Sequence, residues 1–538
     1  MALAPPSTAS LDVARPPELD RVQALRRRLR VDPLELLVLL LFAAVSAWVL
    51  ALDLYQVIVH GRVWTGTDGL FIADQMQYLA WIRDASHHVL ASDLFVINQT
   101  PHDYLQPMVL ISGGLTALGM APWLALMLWK PVAVVGAFLA LRAYVRRTIR
   151  GRYAQLAALV LALFYGWFGS LGDAWLPFWS WGYPFGLMAI AAMVAGLVSY
   201  SRARAAGTGL WQAPLFGLLA AWLHPWQGET LILVVLGGEV GSALLRSDGE
   251  EDRIALRRRL LLLALTVVAT ALPLIYYGIL DRADVVWRLG RIGTSNGWGF
   301  AGVMESLIPL FVAAALSYRL RPRSFLGAAT MAWPLAALAV YGLSIAGLGA
   351  TPLHAFAGIT IPLAVLAVRG VQSLPLARLP YRRLAALAAV ALIGVTTIPV
   401  TVDQLRDAHI FMGPYKNDGN FIRRDEQRAM SFLARDRTPG GVLTPFYLGM
   451  VLPAITGRHT YIGDHLWSVP NYKQRFTQTF NLFKWPETNS AAWAFVRSTG
   501  ARFVLDDCHG HAGGLVKKLT PISRAIYPFG CATVLQLY

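Results

Sequence analysis

The sequence predicts a mainly α fold: a polytopic bundle of about 11 membrane-spanning helices with a C-terminal extracytoplasmic α/β domain. Three observations predict it. The 538 residues are 56% hydrophobic and 14% charged, where soluble domains carry roughly 25% charged residues. Apolar runs of about 17 to 25 residues recur from residue 34 to residue 402. Arginines gather in short clusters between those runs, the positive-inside pattern. That pattern accounts for the net charge of +16 and excludes nucleic acid as a partner, because no basic stripe interleaved with aromatics lies outside the spans.

Residues 1–33 read as a polar, Pro-rich cytoplasmic tail ending in Arg26-Arg27-Arg28-Leu29-Arg30. The first apolar run, Leu36 to Leu52, lacks the flanks of a cleaved signal and reads as an uncleaved anchor. Span one covers about 34–58, and the first outer loop about 59–121. Within that loop, 107–118 is apolar but short, closed by Gly119-Met120-Ala121-Pro122, and reads as an interfacial helix. A full span there would place Arg142, Arg146, Arg147, Arg150 and Arg152 outside, against the charge rule.

Span two (about 122–143) ends at that cluster. Spans three (154–169) and four (185–200) flank an outer loop holding Asp173. Spans five (209–223) and six (229–245) are joined by His224-Pro225-Trp226-Gln227-Gly228-Glu229. Spans seven (260–280) and eight (303–318) flank a loop with Asp281, Asp284, Arg288 and Arg291. Spans nine (325–347) and ten (356–372) flank a loop with His354, and span eleven (384–402) exits. Residues 34–402 thus form the transmembrane domain, and 403–538 a soluble outer domain. There, Gly441 to Pro445, Arg502 to Asp506 and Ala532 to Tyr538 read as strands, and Asp425 to Ala434 and Ser490 to Ser498 as helices. Cys508 follows one strand and Cys531 precedes another; in an oxidising compartment they form a disulfide, and otherwise two thiols.

The candidate chemistry centres on the run from Thr67 to Asp84 in the first outer loop. Asp74, Tyr78 and Trp81 share a helical face, which makes Asp74 the leading candidate for a general base over a solvated acid of an amphipathic helix. Asp68, in the turn Thr67-Asp68-Gly69, is the rival, although Asp in such a turn more often caps than reacts. Asp84 beside Arg83 reads as a local ion-pair residue, and Asp53 as a hydrated acid near the outer end of span one. Asp173 sits among Trp175, Trp179, Trp181 and Tyr183, either an interfacial aromatic belt or a stacking surface for a ligand. His224 is a turn residue or a contact for a phosphate group, with Trp226 and Glu229 beside it. Arg288 and Arg291 are a candidate phosphate clamp, or balance Asp281 and Asp284. Asp464 and His465, with the stretch Tyr472-Lys473-Gln474-Arg475, could line an acceptor groove. No Walker loop, HExxH or paired CxxC occurs. No cofactor is implied, and a divalent metal has no supporting motif.

This layout resembles the GT-C class of integral membrane glycosyltransferases. Asp74-Gln75 is similar to their first-loop signature of a carboxylate followed by Gln or Glu. Asp173 fits their second acid in the next outer loop, and the outward C-terminal domain also matches. The eleven-span count departs from the pattern, since many relatives have more. The resemblance implies a multi-pass protein of the plasma membrane that takes a polyprenyl-phosphate-linked sugar and transfers it to a glycan, lipid or protein acceptor on the outer face. Gln75, Tyr78, Trp179, Trp181 and Trp226 would then contact sugar or acceptor. An inverting transfer needs one carboxylate to deprotonate the acceptor hydroxyl, because the leaving phosphate is already ionised. A transporter or flippase of a lipid-linked sugar is the alternative of a different class. Apolar span centres and acids collected in outer loops argue against it. A glycan ligase or polymerase, and a catalytically silent assembly partner, share the topology.

Overall fold

A computed structural model of the chain describes residues 32–68, 72–166, 171–244, 256–294, 299–374, 419–484, 488–509 and 514–538. The N-terminal tail before Asp32 and span eleven lie outside the described residues, as do Arg378, Arg382 and Arg383.

Helix α1 (Pro33–His60) starts at Asp32, whose carboxylate accepts the Leu34 N–H at 2.9 Å, and stops at Gly61 in the left-handed conformation. Strand β1 (Val63–Trp64), α2 (Ile72–His88) and α3 (Pro107–Ala117) follow, then α4 (Pro122–Met127) running into α5 (Trp129–Thr148). The remaining bundle helices are α6 (Arg152–Phe164), α7 (Pro184–Ala206), α8 (Gln212–Leu223), α9 (Pro225–Leu244), α10 (Leu256–Ala283), α11 (Val285–Thr294), α12 (Phe300–Ala315), α13 (Phe325–Leu343) and α14 (Thr360–Ser373). Every span expected between residues 34 and 372 coincides with a helix. Among the described residues, seven helical segments are long and apolar enough to cross a membrane. Helices α6 and α8, with 13 and 12 residues, are shorter than a crossing. Helix α8 is short because Pro225 forces its predecessor His224 into extended backbone, and the chain turns at once into α9.

The packing separates outer helices from a central one. Helices α1 and α10 expose rows of large apolar side chains, among them Leu36, Leu37, Leu40, Leu261, Leu265 and Leu272. Such rows on a long helix fit a lipid-facing surface. Helix α7 is buried almost throughout, against α5 and α8. The arginine clusters that mark one side of the sequence are also ties between helices. Glu35 of α1 binds Arg142 at 2.8 Å and Arg146 at 2.7 Å. Glu239 of α9 binds Arg204 at 3.3 Å, together with Arg259 and the Tyr200 hydroxyl.

After β2 (Phe421–Ile422) come α15 (Arg424–Arg435), β3 (Val442–Leu443), α16 (Phe446–Thr456), α17 (Tyr472–Lys484), α18 (Asn489–Ser498), β4 (Phe503–Asp506), β5 (Ser523–Phe529) and β6 (Ala532–Leu537). Strand order is β3-β4-β6-β5, with β3 and β4 parallel and the other neighbours antiparallel. The expected strands and helices are present; β2, β5, α16, α17 and a short helix at Leu515–Leu519 are additional. Register explains the disulfide. Asp506 on β4 faces Thr533 on β6, so two residues further out Cys508 faces Cys531, with Cα atoms 4.8 Å apart.

This domain is stitched to the first loop. Strand β1 pairs with β2, Thr65 Oγ1 donates to the Gly419 carbonyl at 2.6 Å, and Thr67 Oγ1 to Asn420 Oδ1 at 2.6 Å. Asn420 Nδ2 in turn donates to Asp53 at 2.9 Å. Asp53 is fully buried in this junction, so it is not the hydrated acid expected from the sequence. One apolar core runs unbroken from Phe42 of α1 through Trp81 of α2 to Phe503 and Val534 of the sheet.

Candidate active site

A cavity of about 780 Å³ opens where the first loop, the bundle and the C-terminal domain meet. Helix α2 supplies Asp74, Gln77, Tyr78 and Trp81 to its wall. The helix is fixed from both sides. Helix α3 packs along it, and α16 crosses it from the C-terminal domain. Gly182 lets Gln75 approach, since a Cβ there would sit 2.3 Å from Gln75 Nε2.

Asp74 is half-buried and accepts a hydrogen bond from the Tyr183 hydroxyl. Burial pushes its carboxyl pKa up; the Tyr183 hydrogen bond and the nearby His465 oppose that. Tyr183 stays protonated, its own pKa raised by burial and by the Asp74 charge, so it remains a donor. Tyr78 stands one turn along and packs edge-on to Trp81, 5.2 Å between centroids. From Trp81 an aromatic wall continues through Tyr104, Trp287 and Trp467, with Trp81–Tyr104 at 4.3 Å, Tyr104–Trp287 at 4.7 Å and Trp287–Trp467 at 5.0 Å.

A second polar line crosses the cavity. Asp173 Oδ2 meets His354 Nε2 at 3.0 Å, and His354 Nδ1 meets His224 Nε2 at 3.2 Å. His224 Nδ1 contacts Gln227 Oε1, while Gln227 Nε2 points at the Ala357 carbonyl, 3.5 Å away. Gln227 Oε1 only accepts, so His224 carries its proton on Nδ1 and accepts through Nε2. His354 stands between His224 and Asp173, its Nδ1 toward His224 and its Nε2 toward Asp173. Burial holds the His224 pKa well below the usual imidazole range, with the adjacent His354 adding to the effect. His224 therefore lines the cavity as a neutral hydrogen-bonding group rather than a cation. Trp179 and Trp226 bracket the two imidazoles: Trp179 Nε1 donates to the Asp173 carbonyl at 2.7 Å, and the Trp226 ring lies 4.6 Å from His354.

Other residues singled out in the sequence stand elsewhere. Asp68 lies outside the cavity wall, fully buried against Lys130 of α5, and its N–H donates to Gln75 Oε1 at 2.6 Å. Gln75 is thus a brace for the turn before α2. Trp181 packs on Trp48 and Trp175 and donates to the Val45 carbonyl at 2.8 Å, tying the loop to α1. Arg291 lines the cavity, with its Nε on Asp281 at 2.5 Å. Arg288 does not line it; Arg282, which the sequence reading passed over, does. Asp464 holds its loop with Oδ1 accepting from the Leu466 and Trp467 N–H groups, at 2.6 and 3.1 Å, and His465 and Trp467 beside it line the cavity. Burial, then the Asp74 charge, raises the Asp464 pKa to about 6. That loop rests backbone to backbone on α16: a Cβ at Gly449 would lie 1.9 Å from the Ile462 carbonyl oxygen. His354, Gln227, Trp287 and Trp467 were missed because each acts through a partner more than a hundred residues away or through a turn, and no local spacing marks them. Among the described residues, the groups of His, Cys and carboxylate with metal-ligand spacing do not include Asp74 or Asp173.

No known family model matches the sequence, and no curated protein matches it. Solved structures do. The oligosaccharyltransferase of Archaeoglobus fulgidus, in complex with Zn and sulfate, superposes with a TM-score of 0.50 over 88% of this chain and 68% of its own, at 13% identity. ArnT from Cupriavidus metallidurans bound to undecaprenyl phosphate gives 0.49 over 92% and 97%, at 15% identity. The oligosaccharyltransferase match carries the fold assignment: this chain shares that protein's fold, the GT-C fold expected from the sequence.

Proposed function

We propose that the protein is a membrane glycosyltransferase that moves a sugar from a polyprenyl-phosphate donor to an acceptor hydroxyl on the outer face of the membrane. Asp74 acts as the general base. The observation that carries this reading is Asp74 itself: a desolvated carboxylate at the wall of a large cavity, held by a phenol that can only donate to it. The acceptor hydroxyl attacks the anomeric carbon while Asp74 takes its proton. The bond from that carbon to the phosphate oxygen breaks, and polyprenyl phosphate leaves already ionised. The configuration inverts because attack and departure lie on opposite faces. A raised pKa brings the base closer to neutral pH, where proton transfer is most effective.

The surroundings suit the same substrate. Trp81, Tyr104, Trp287 and Trp467 offer faces on which sugar C–H groups pack. Arg282 and Arg291 provide positive charge for the phosphate, and His354 lines the same cavity. The Cys508–Cys531 disulfide supports placing the C-terminal domain on the oxidising side. The test incubates membranes with a panel of labelled polyprenyl-phosphate sugars. Label is expected to move to an acceptor fraction, and Asp74→Asn is expected to abolish the transfer. Full transfer by that variant would remove Asp74 from the role.

A further inference from the structure

The C-terminal end of α2 carries a second cluster that the transfer chemistry does not use. Asp84 and His88 stand one turn apart on one face of the helix, Asp84 Oδ1 to His88 Nδ1 at 2.8 Å. His102, from the loop that follows, brings Nε2 to 3.4 Å from Asp84 Oδ2. One ligand atom from each of the three residues falls within 4.8 Å of the others. The two imidazole rings lie 4.0 Å apart. Asp84 is buried and held rigidly, its Oδ2 accepting both the N–H and the hydroxyl of Ser92 at 2.7 and 2.8 Å. The histidines are the open side: the His88 side chain is 51% exposed and that of His102 39%, so an ion has a route in from solvent. Arg83, the neighbouring cation in the chain, runs beside Gly457, where a Cβ would lie 3.9 Å from its Cγ and Nε.

We propose that Asp84, His88 and His102 bind a zinc-class divalent cation. Two imidazoles and a carboxylate are a donor set for such ions, and the fourth position is left for water or a further ligand. His459 is near enough to feel the charges of Asp84, His102 and His88. Its Nδ1 donates to the Val96 carbonyl at 2.8 Å, which leaves Nε2 as its unprotonated nitrogen. The role is structural, not catalytic. Asp84 is ten residues beyond Asp74, about 15 Å along the helix. The ion would join the end of α2 to the segment that Ala91 and Tyr104 clamp by reciprocal backbone hydrogen bonds of 3.1 and 3.0 Å. Tyr104 is part of the aromatic wall, so the site would fix that wall relative to Asp74. The inference stands apart from the transferase reading.

The experiment uses the full-length protein in detergent, with any affinity tag removed, stripped with chelator and titrated with Co²⁺. Expected is one equivalent bound per chain, with the intense visible bands of a tetrahedral site, displaced by Zn²⁺. The double variant H88A/H102A should lose the bands, and His88→Gln alone should weaken Co²⁺ binding by at least about tenfold. His87→Gln, at the neighbouring exposed histidine outside the cluster, should keep them. Wild type without bands would overturn the proposal, as would unchanged bands in a folded His88→Gln variant.

Discussion

Replacing Tyr183 by Phe removes one hydroxyl and tests the assignment of Asp74 as base. In the structure that hydroxyl donates directly to Asp74 Oδ2, in a pocket where burial already disfavours the charged form. A hydrogen bond to a charged group contributes about 1.5–3 kcal/mol. Losing it shifts the ionisation equilibrium of Asp74 further toward the neutral acid by a factor of about 10 to 100. Only the ionised form accepts the acceptor proton, so the acid limb of the kcat/KM profile moves to higher pH. At a fixed pH on that limb, transfer falls about 10- to 100-fold. On the alkaline plateau, where Asp74 is ionised in both proteins, the variant approaches wild-type activity. The assay is transfer from a labelled polyprenyl-phosphate sugar across a pH series, for wild type, Tyr183→Phe and Asp74→Asn. An acid limb unmoved by Tyr183→Phe would refute the reasoning. A uniform loss at every pH would also refute it, because it would make Tyr183 a packing residue.

Four further outcomes follow from the same geometry. Asp68→Asn strands the Lys130 ammonium in a buried site and should cost about 3–5 kcal/mol in thermal unfolding, whereas Asp68→Asn with Lys130→Met should recover most of it. Asp74 has a folded-state pKa above its unfolded value, so the stability it contributes is full below the unfolded pKa and lost as pH rises through the folded one. Asp74→Asn should accordingly raise Tm at neutral pH and leave it nearly unchanged in acid, with transfer abolished throughout. Arg282→Ala and Arg291→Ala should each raise the donor KM by about tenfold, while Arg288→Ala should leave it unchanged, as measured by donor titration. Cys508→Ser opens a loop of 23 residues and should lower stability by about 3 kcal/mol, with a mobility shift on non-reducing gels relative to wild type.

Much of the bundle was legible in the chain because lipid imposes a length and a composition on each crossing. The ten expected spans from 34 to 372 all meet helices, and the short reading of 107–118 agrees with an 11-residue α3. Asp74, Tyr78 and Trp81 share the cavity wall because helical periodicity places them there. The Cys508–Cys531 pair was legible as an option, and strand register made it a bond.

Tertiary structure decided what each charge faces. Asp68 and Asp74 are six residues apart and equally acidic in the sequence. Lys130, sixty-two residues away, closes on the first, while Tyr183, a hundred and nine residues away, holds the second at a cavity. Arg282 and Arg288 differ in the same way: Arg282, in the last turn of α10, lines the cavity, and Arg288, on the next helix α11, does not. The alignment of Asp173, His354, His224 and Gln227 joins three loops that no spacing connects. A hydrophobic run specifies its own burial through local composition, so it can be read residue by residue. The role of an ionisable group depends on desolvation and on partners brought by distant segments, and these exist only once the chain is packed.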